Sequence, residues 1–200
     1  RVKQARSDNY FFQMHVNALY NICDNRFHSM ITQPRPQMNE KAAFCQLVDE
    51  GNFDEKTIFI ADRGYVSLNT LAHLTERKKL FLIRAKKPDT TASLLYRLIE
   101  AEQETDQSIT VSVTRSKRNI KKYNLSNYKI VRKSRAFEPI SSGDYDTVYH
   151  LPIRVICIQL DTGTYEYLIT NLPADKFTAS DLKILYHMRW NIETSFRSLK

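Results

Sequence analysis

The chain has 200 residues, 42% of them hydrophobic and 26% charged, which is material for one sizeable core, and its 30 Lys and Arg against 22 Asp and Glu leave a formal charge of +8. Such a balance favours a polyanionic partner. No apolar run reaches membrane-spanning length, no signal-peptide pattern occurs, and Cys23, Cys45 and Cys157 lack the paired spacing of a disulfide framework or a zinc site, so the expectation is a soluble intracellular protein.

Arg1 to Asn9 is polar and reads as loop. Tyr10 to Tyr20 and Phe27 to Thr32 read as two strands of a hairpin joined through Cys23 to Arg26. Gln33-Pro-Arg-Pro36 forces an extended link, after which Asn39 caps a helix that carries Ala42, Phe44, Leu47 and Val48 and stops at Gly51. Thr57 to Ala61 is a short uninterrupted apolar run, the mark of a strand buried on both faces, and it ends on Asp62. Arg63-Gly64-Tyr65 breaks it; Ser67 caps a helix through Leu68, Leu71 and Leu74; Leu80 to Ile83 is a further buried strand. Strands alternating with helices argue for an α/β sheet with a parallel crossover.

From Ala85 to Thr147 the texture changes, with a short helix expected around Ser93 to Glu100 and an alternating strand over Ile109 to Val113. Arg115 to Arg135 holds nine basic residues and no acidic one, Arg115, Lys117, Arg118, Lys121 and Lys122 among them. Such a run suits a solvated surface. Interleaved with Tyr123 and Tyr128, it also suits hairpins lying against a phosphate backbone. Pro152 to Leu160 and Tyr165 to Thr170 read as strands around the Asp161-Thr-Gly163 turn, and Thr178 with Asp181 opens a final helix with a capping box.

That helix is expected to run on to Lys200. Leu185, Met188, Ile192, Phe196 and Leu199 fill one face, and Tyr186, Arg189, Glu193 and Lys200 fall within an arc of roughly 60° beside it. A lone carboxylate among phosphate-binding groups suits a metal ion next to a nucleic-acid backbone, although an ordinary i,i+4 ion pair between Arg189 and Glu193 explains the same residues. Asp62 stands where functional groups of α/β sheets gather, at a strand's end; a turn or cap residue is the plain alternative. Together the two carboxylates can hold one Mg²⁺, or share two with a third acid. The five histidines show no ligand spacing, Ser195 has no nearby base, and four glycines make no phosphate loop.

The order Tyr186, Arg189, Glu193 and Lys200, with Trp190 and Ile192 between, resembles the Tyr-Arg-Glu-Lys signature of bacterial insertion-sequence transposases of the DDE class. Ile60-Ala-Asp62-Arg-Gly-Tyr65 is similar to the segment holding that family's second catalytic aspartate. The resemblance implies a ribonuclease-H-like mixed α/β sheet flanked by helices, with a β-rich insertion before the last catalytic helix. The domain expectation is therefore a core over 1–84, a basic insertion over 85–170, and a return to the core over 171–200. It further implies metal-dependent cleavage at transposon ends and joining of the freed 3′-hydroxyl to target DNA, with Mg²⁺ or Mn²⁺ held by Asp62 and Glu193. Tyr186, Arg189 and Lys200 would contact phosphates, and Arg115, Lys117, Arg118, Lys121 and Lys122 would add a DNA-binding surface. Double-stranded DNA, a homodimer on paired ends, no membrane, and a bacterial cytoplasmic, nucleoid-associated location go with that reading. The family's first aspartate precedes the hairpin, and no residue here is nominated for it; Asp8 lies in the polar lead-in. With an opening at Arg1 and a close inside a helix, the chain is expected to be a catalytically incomplete fragment. A tryptophan that stacks on a displaced base in some relatives has no counterpart in the insertion, where Tyr123, Tyr128 or Phe137 could stack instead. A nuclease of the same fold and a non-catalytic DNA-binding remnant are the alternatives.

Overall fold

The computed structural model describes residues 2–3, 10–11 and 14–198, with side-chain environments over 14–195. Lys200 and Asp8 lie outside the described residues. The chain divides into two compact units, one of residues 1–53 with 190–200 and one of residues 54–189.

In the smaller unit, β1 (Val2–Lys3) pairs antiparallel with β2 (Tyr10–Phe11), so part of the expected lead-in loop is a short ladder. The expected hairpin is β3 (Met14–Asn21) with β4 (Arg26–Pro34), antiparallel, its register shifting at Leu19/Tyr20. Helix α1 (Glu40–Glu50) starts where expected: the Asn39 side chain accepts the Ala42 N–H, which satisfies one of the amides a helix leaves bare. It buries Ala43, Phe44, Cys45, Leu47 and Val48. Gly51 ends it, and a Cβ there would collide with the Phe53 ring.

The larger unit is built on one sheet of six strands. These are β5 (Ile58–Ala61), β6 (Leu80–Ala85), β7 (Thr105–Thr114), β8 (Tyr128–Ile130), β9 (Val148–Gln159) and β10 (Tyr165–Thr170). Their spatial order is β5-β6-β10-β9-β7-β8. β5 pairs parallel with β6 and β7 with β8, while β6, β10, β9 and β7 pair antiparallel in turn. Helix α2 (Leu68–Glu76), capped by Ser67 on the Thr70 N–H, makes the crossover that a parallel pair requires. Pro152 is tolerated inside β9 because β10 pairs only from Arg154 onward, leaving β7 as its one neighbour there.

Alternation along the strands gives each face its own core. Leu82, Ile156 and Leu168 cluster with Leu172 and with Leu182 and Tyr186 of α4 (Ala179–His187). Phe81, Ile83, Val155 and Ile169, also buried, point to the opposite face, where α2 buries Leu71, Ala72 and Leu74. Each fully buried aliphatic side chain contributes roughly 1.5–3 kcal/mol. A mixed sheet flanked by helices is compatible with a ribonuclease-H-like fold. The expected boundary at 84/85 runs through this sheet, since β6 on one side of it pairs with β10 on the other.

Two local expectations differ from the structure. Residues 91–99 form successive turns rather than a helix, with Arg97 at φ 63°, which an α-helix does not accept. Within the basic run, the expected hairpins are replaced by a short helix, α3 (Lys117–Lys122), whose Ser116 cap accepts the Arg118 N–H.

Candidate active site at the end of β5

The closing helix is interrupted. α4 ends at His187, Met188 and Arg189 form a turn, and α5 (Trp190–Ser198) follows. At the turn the Arg189 N–H reaches back to the Tyr186 carbonyl at 3.1 Å, the tight three-residue bond with which helices finish. The two units meet in sequence at this turn, so Tyr186 and Arg189 belong to the larger unit and Glu193, half-buried on α5, to the smaller one. Tyr186 and Glu193 thus do not lie along one uninterrupted helix.

Asp62 follows β5 directly. Ile58 and Ile60, in phase with it, pack against the cluster that contains Tyr186. Its backbone carbonyl accepts the Tyr65 N–H as a turn begins, yet its side chain caps nothing. The Tyr186 hydroxyl instead donates to Asp62 Oδ1 at 3.3 Å, so the carboxylate turns toward α4 rather than onto its own turn. Tyr186 itself is 3% exposed, its ring set among Leu82, Ile156, Leu168 and Leu182. Burial pushes its hydroxyl up to about 12; Asp62 and Glu166 add to the shift, and Arg189 and Arg84 oppose it. Tyr186 therefore remains a donor throughout the neutral range. The Arg189 guanidinium stands 5.6 Å from the centre of its ring, within cation–π range.

Two residues at this end of the sheet were missed in the sequence. Because Ala61 is level with Ile83 in the parallel pair, Asp62 and Arg84 come next on adjacent strands. Arg84 Nε lies 3.5 Å from Glu166 Oε1. Burial holds the Glu166 carboxyl above the usual carboxylate range, against the pull of Arg84, Arg189, Lys183 and His187. The available signal was phase: Glu166 is two residues from Leu168, a core position on the same face, as Arg84 is from Leu82.

The basic run divides into two kinds of group. Arg115 is 7% exposed and its guanidinium donates to the carbonyls of Ile140 (2.8 and 3.1 Å), Arg132 (3.0 Å) and Arg135 (3.3 Å). It ties the 132–140 loop to the end of β7, and its donors are committed there. Lys117, Arg118, Lys121 and Lys122 are exposed on α3, which Asn119 anchors from beneath through Thr114 and the carbonyls of Tyr145 and Asp146. Tyr123 and Tyr128 are exposed, whereas Phe137 is buried edge-on against Tyr149 and offers no stacking face.

Asp62 presents hard carboxylate oxygen at a partly open strand end, which is donor chemistry that suits Mg²⁺ or Mn²⁺. Among the described residues, no group of three or more His, Cys, Asp or Glu could hold a metal ion, and no helix is long and apolar enough to cross a membrane. A comparison with curated proteins gives no match. A comparison with protein-family models matches residues 1–200, end to end, to the family described as "Transposase DDE domain". The chain belongs to the DDE transposase family, as a catalytic-domain sequence whose work is DNA transposition.

Proposed function

We propose that Asp62 and Glu193 are two of the carboxylates through which this domain cleaves transposon ends and joins the 3′-hydroxyl to target DNA. The observation that carries the reading is the Tyr186 to Asp62 hydrogen bond, which ties a residue of the signature stretch to the strand-end aspartate. A divalent ion, Mg²⁺ or Mn²⁺, when bound would supply activation of the attacking oxygen and neutralisation of the leaving one. Asp62 and Glu193 would be its carboxylate ligands, and an aspartate outside these two would complete the set. Tyr186 holds Oδ1 of Asp62, which leaves Oδ2 for a metal ion. Arg189, kept against the Tyr186 ring, offers its forked donors to a phosphate near the scissile one, and Lys200 offers a point charge.

The exposed cations of α3 add sequence-independent affinity for double-stranded DNA, and segment 85–170 serves as the family's β-rich insertion while sharing the central sheet. The protein works as a homodimer on paired ends, on chromosomal DNA in the bacterial cytoplasm. A nuclease of the same fold is the second reading, because every group named here serves strand cleavage as well as joining.

Full-length protein with paired transposon ends, Mg²⁺ and a target plasmid tests both. Asp62→Asn and Glu193→Gln should each abolish cleavage, by at least about 10³-fold, while leaving duplex affinity within about threefold, since these groups hold metal rather than phosphate. Normal cleavage by either variant refutes the assignment. Ends that are cleaved and never joined select the nuclease.

A further inference from the structure

Beside Asp62 the larger unit carries a cleft of about 500 Å³ that neither α4 nor α3 lines. It lies between the chain leaving β6 and the β9–β10 turn, where Gly163, Thr164 and Tyr165 form one wall. Its charged lining is Arg63, Arg84, Lys86 and Lys87 against Asp89 and Glu102. Four cations against two acids leave an excess of two positive charges in one concavity.

How those charges are committed decides what the cleft can take. Lys87 Nζ is 2.7 Å from Glu102 and 4.0 Å from Asp89, all three side chains being substantially exposed. Exposed pairs of this kind hold their partners weakly and exchange them at little cost. Arg63 and Lys86 are exposed and make no ion pair among the described residues. Arg84 shares Glu166 and borders the cleft on one side and Asp62 on the other. The cations therefore begin at the catalytic carboxylate and lead away from it, with Arg63 next to it in sequence and Arg84 level with it on the adjacent strand. Spaced point charges and guanidinium forks along an open concavity suit successive phosphates of one strand, which is backbone recognition without base readout.

We infer that this cleft binds the phosphodiester backbone of the DNA strand running into the Asp62 site, with Arg63, Arg84, Lys86 and Lys87 as its contacts. The inference rests on the proposed role of Asp62 for its meaning, but its test needs no chemistry. Anisotropy of a fluorescein-labelled duplex of arbitrary sequence is followed across a salt series in EDTA, with the full-length protein. Arg63→Gln with Lys86→Gln removes two exposed cations outside the core; affinity should fall on the order of tenfold, and the slope of log K against log salt should drop by about 0.9 for each lost phosphate contact. Asp89→Asn with Glu102→Gln removes the two acids, and binding should tighten about threefold, a gain that misfolding cannot produce. Lys56→Gln, at the opposite end of β5 from Asp62, controls for net charge and should leave the slope within error. An unchanged slope in the first variant, unchanged or weaker binding in the second, or an equal loss in the Lys56 control overturns the cleft. If the wild type binds no DNA, the transposase reading falls with it; if it binds but Asp62→Asn still cleaves, only that reading falls.

Discussion

Replacing Tyr186 with phenylalanine removes one oxygen and leaves the ring in place, and so isolates what the hydroxyl does. The ring is 3% exposed within the cluster beneath α4, and Tyr186→Phe keeps that packing. What is lost is the donor to Asp62 Oδ1 at 3.3 Å. A hydrogen bond to a charged acceptor contributes about 1.5–3 kcal/mol at ideal geometry; at this length, on a carboxylate that water also reaches, about 1 kcal/mol is the appropriate figure. Global stability should therefore move by no more than about 1 kcal/mol, read as a small shift in the denaturation midpoint. On the proposed role of Asp62 as a metal ligand, catalysis should suffer more, because a carboxylate released from its supporting donor would sample orientations that cannot bind metal, and such supporting contacts are worth about 10–100-fold. The assay is single-turnover cleavage of a pre-cut-resistant transposon end as a function of Mg²⁺ concentration, with duplex affinity measured in parallel. The expected result is a rate about tenfold lower at subsaturating Mg²⁺, partly restored by raising Mg²⁺, with DNA affinity unchanged. Unchanged cleavage would mean that the hydroxyl does not hold Asp62. A lost affinity with normal cleavage of bound DNA would make Tyr186 a phosphate contact, the role that the signature alone suggests.

Arg115→Met should destabilise the fold by about 3 kcal/mol, since it strands carbonyls of Ile140, Arg132 and Arg135 that the guanidinium now satisfies; chemical denaturation reads the loss, and the salt slope of DNA binding should not change for the folded fraction. Lys121→Gln with Lys122→Gln should do the reverse, lowering the salt slope by about one unit per lost phosphate contact with the denaturation midpoint unmoved. Burial, helped by Arg97, lowers Lys129 from 10.5 to about 8 while its Nζ donates to the Tyr96 carbonyl. Above about pH 8 the unfolded chain then binds more protons at this group than the folded one, so stability should rise with pH between about 8 and 9.5, below the range where exposed tyrosines ionise. Denaturation midpoints across that window should show the slope in the wild type and a flatter profile in Lys129→Met; equal slopes would place the lysine in solvent.

The amino-acid sequence by itself determined the features whose causes are local. Asn39, Ser67 and the Thr178–Asp181 pair cap their helices as expected because each cap bonds to an amide three residues away. The apolar runs over Thr57 to Ala61 and Leu80 to Ile83 became paired parallel strands, since a segment buried on both faces needs no phase to be recognised. The spacing from Tyr186 to Lys200, with Asp62 ahead of it, marked the family before any fold was in hand. Periodicity also overreached: apolar steps of three and four carried straight through Met188 and Arg189, where the backbone tightens into a turn without disturbing the pattern.

Only the tertiary structure decided which charges stand exposed and which hold the fold together. Arg115 looks like its basic neighbours in sequence, and its acceptors lie 17 to 25 residues away, brought to it by the loop that closes over β7. Arg84 and Glu166 stand far apart in the chain and meet because β6 and β10 are neighbours in one register, a long-range fact that no window of residues contains. The register of β5 with β6 in turn sets Arg84 level with Asp62, beside the cleft. The sequence offered Asp62 as a functional carboxylate at a strand end or as a turn or cap residue; its side chain makes no cap bond, and the packing of α4 against Leu82, Ile156 and Leu168 buries the Tyr186 ring there and brings its hydroxyl within reach of the end of β5.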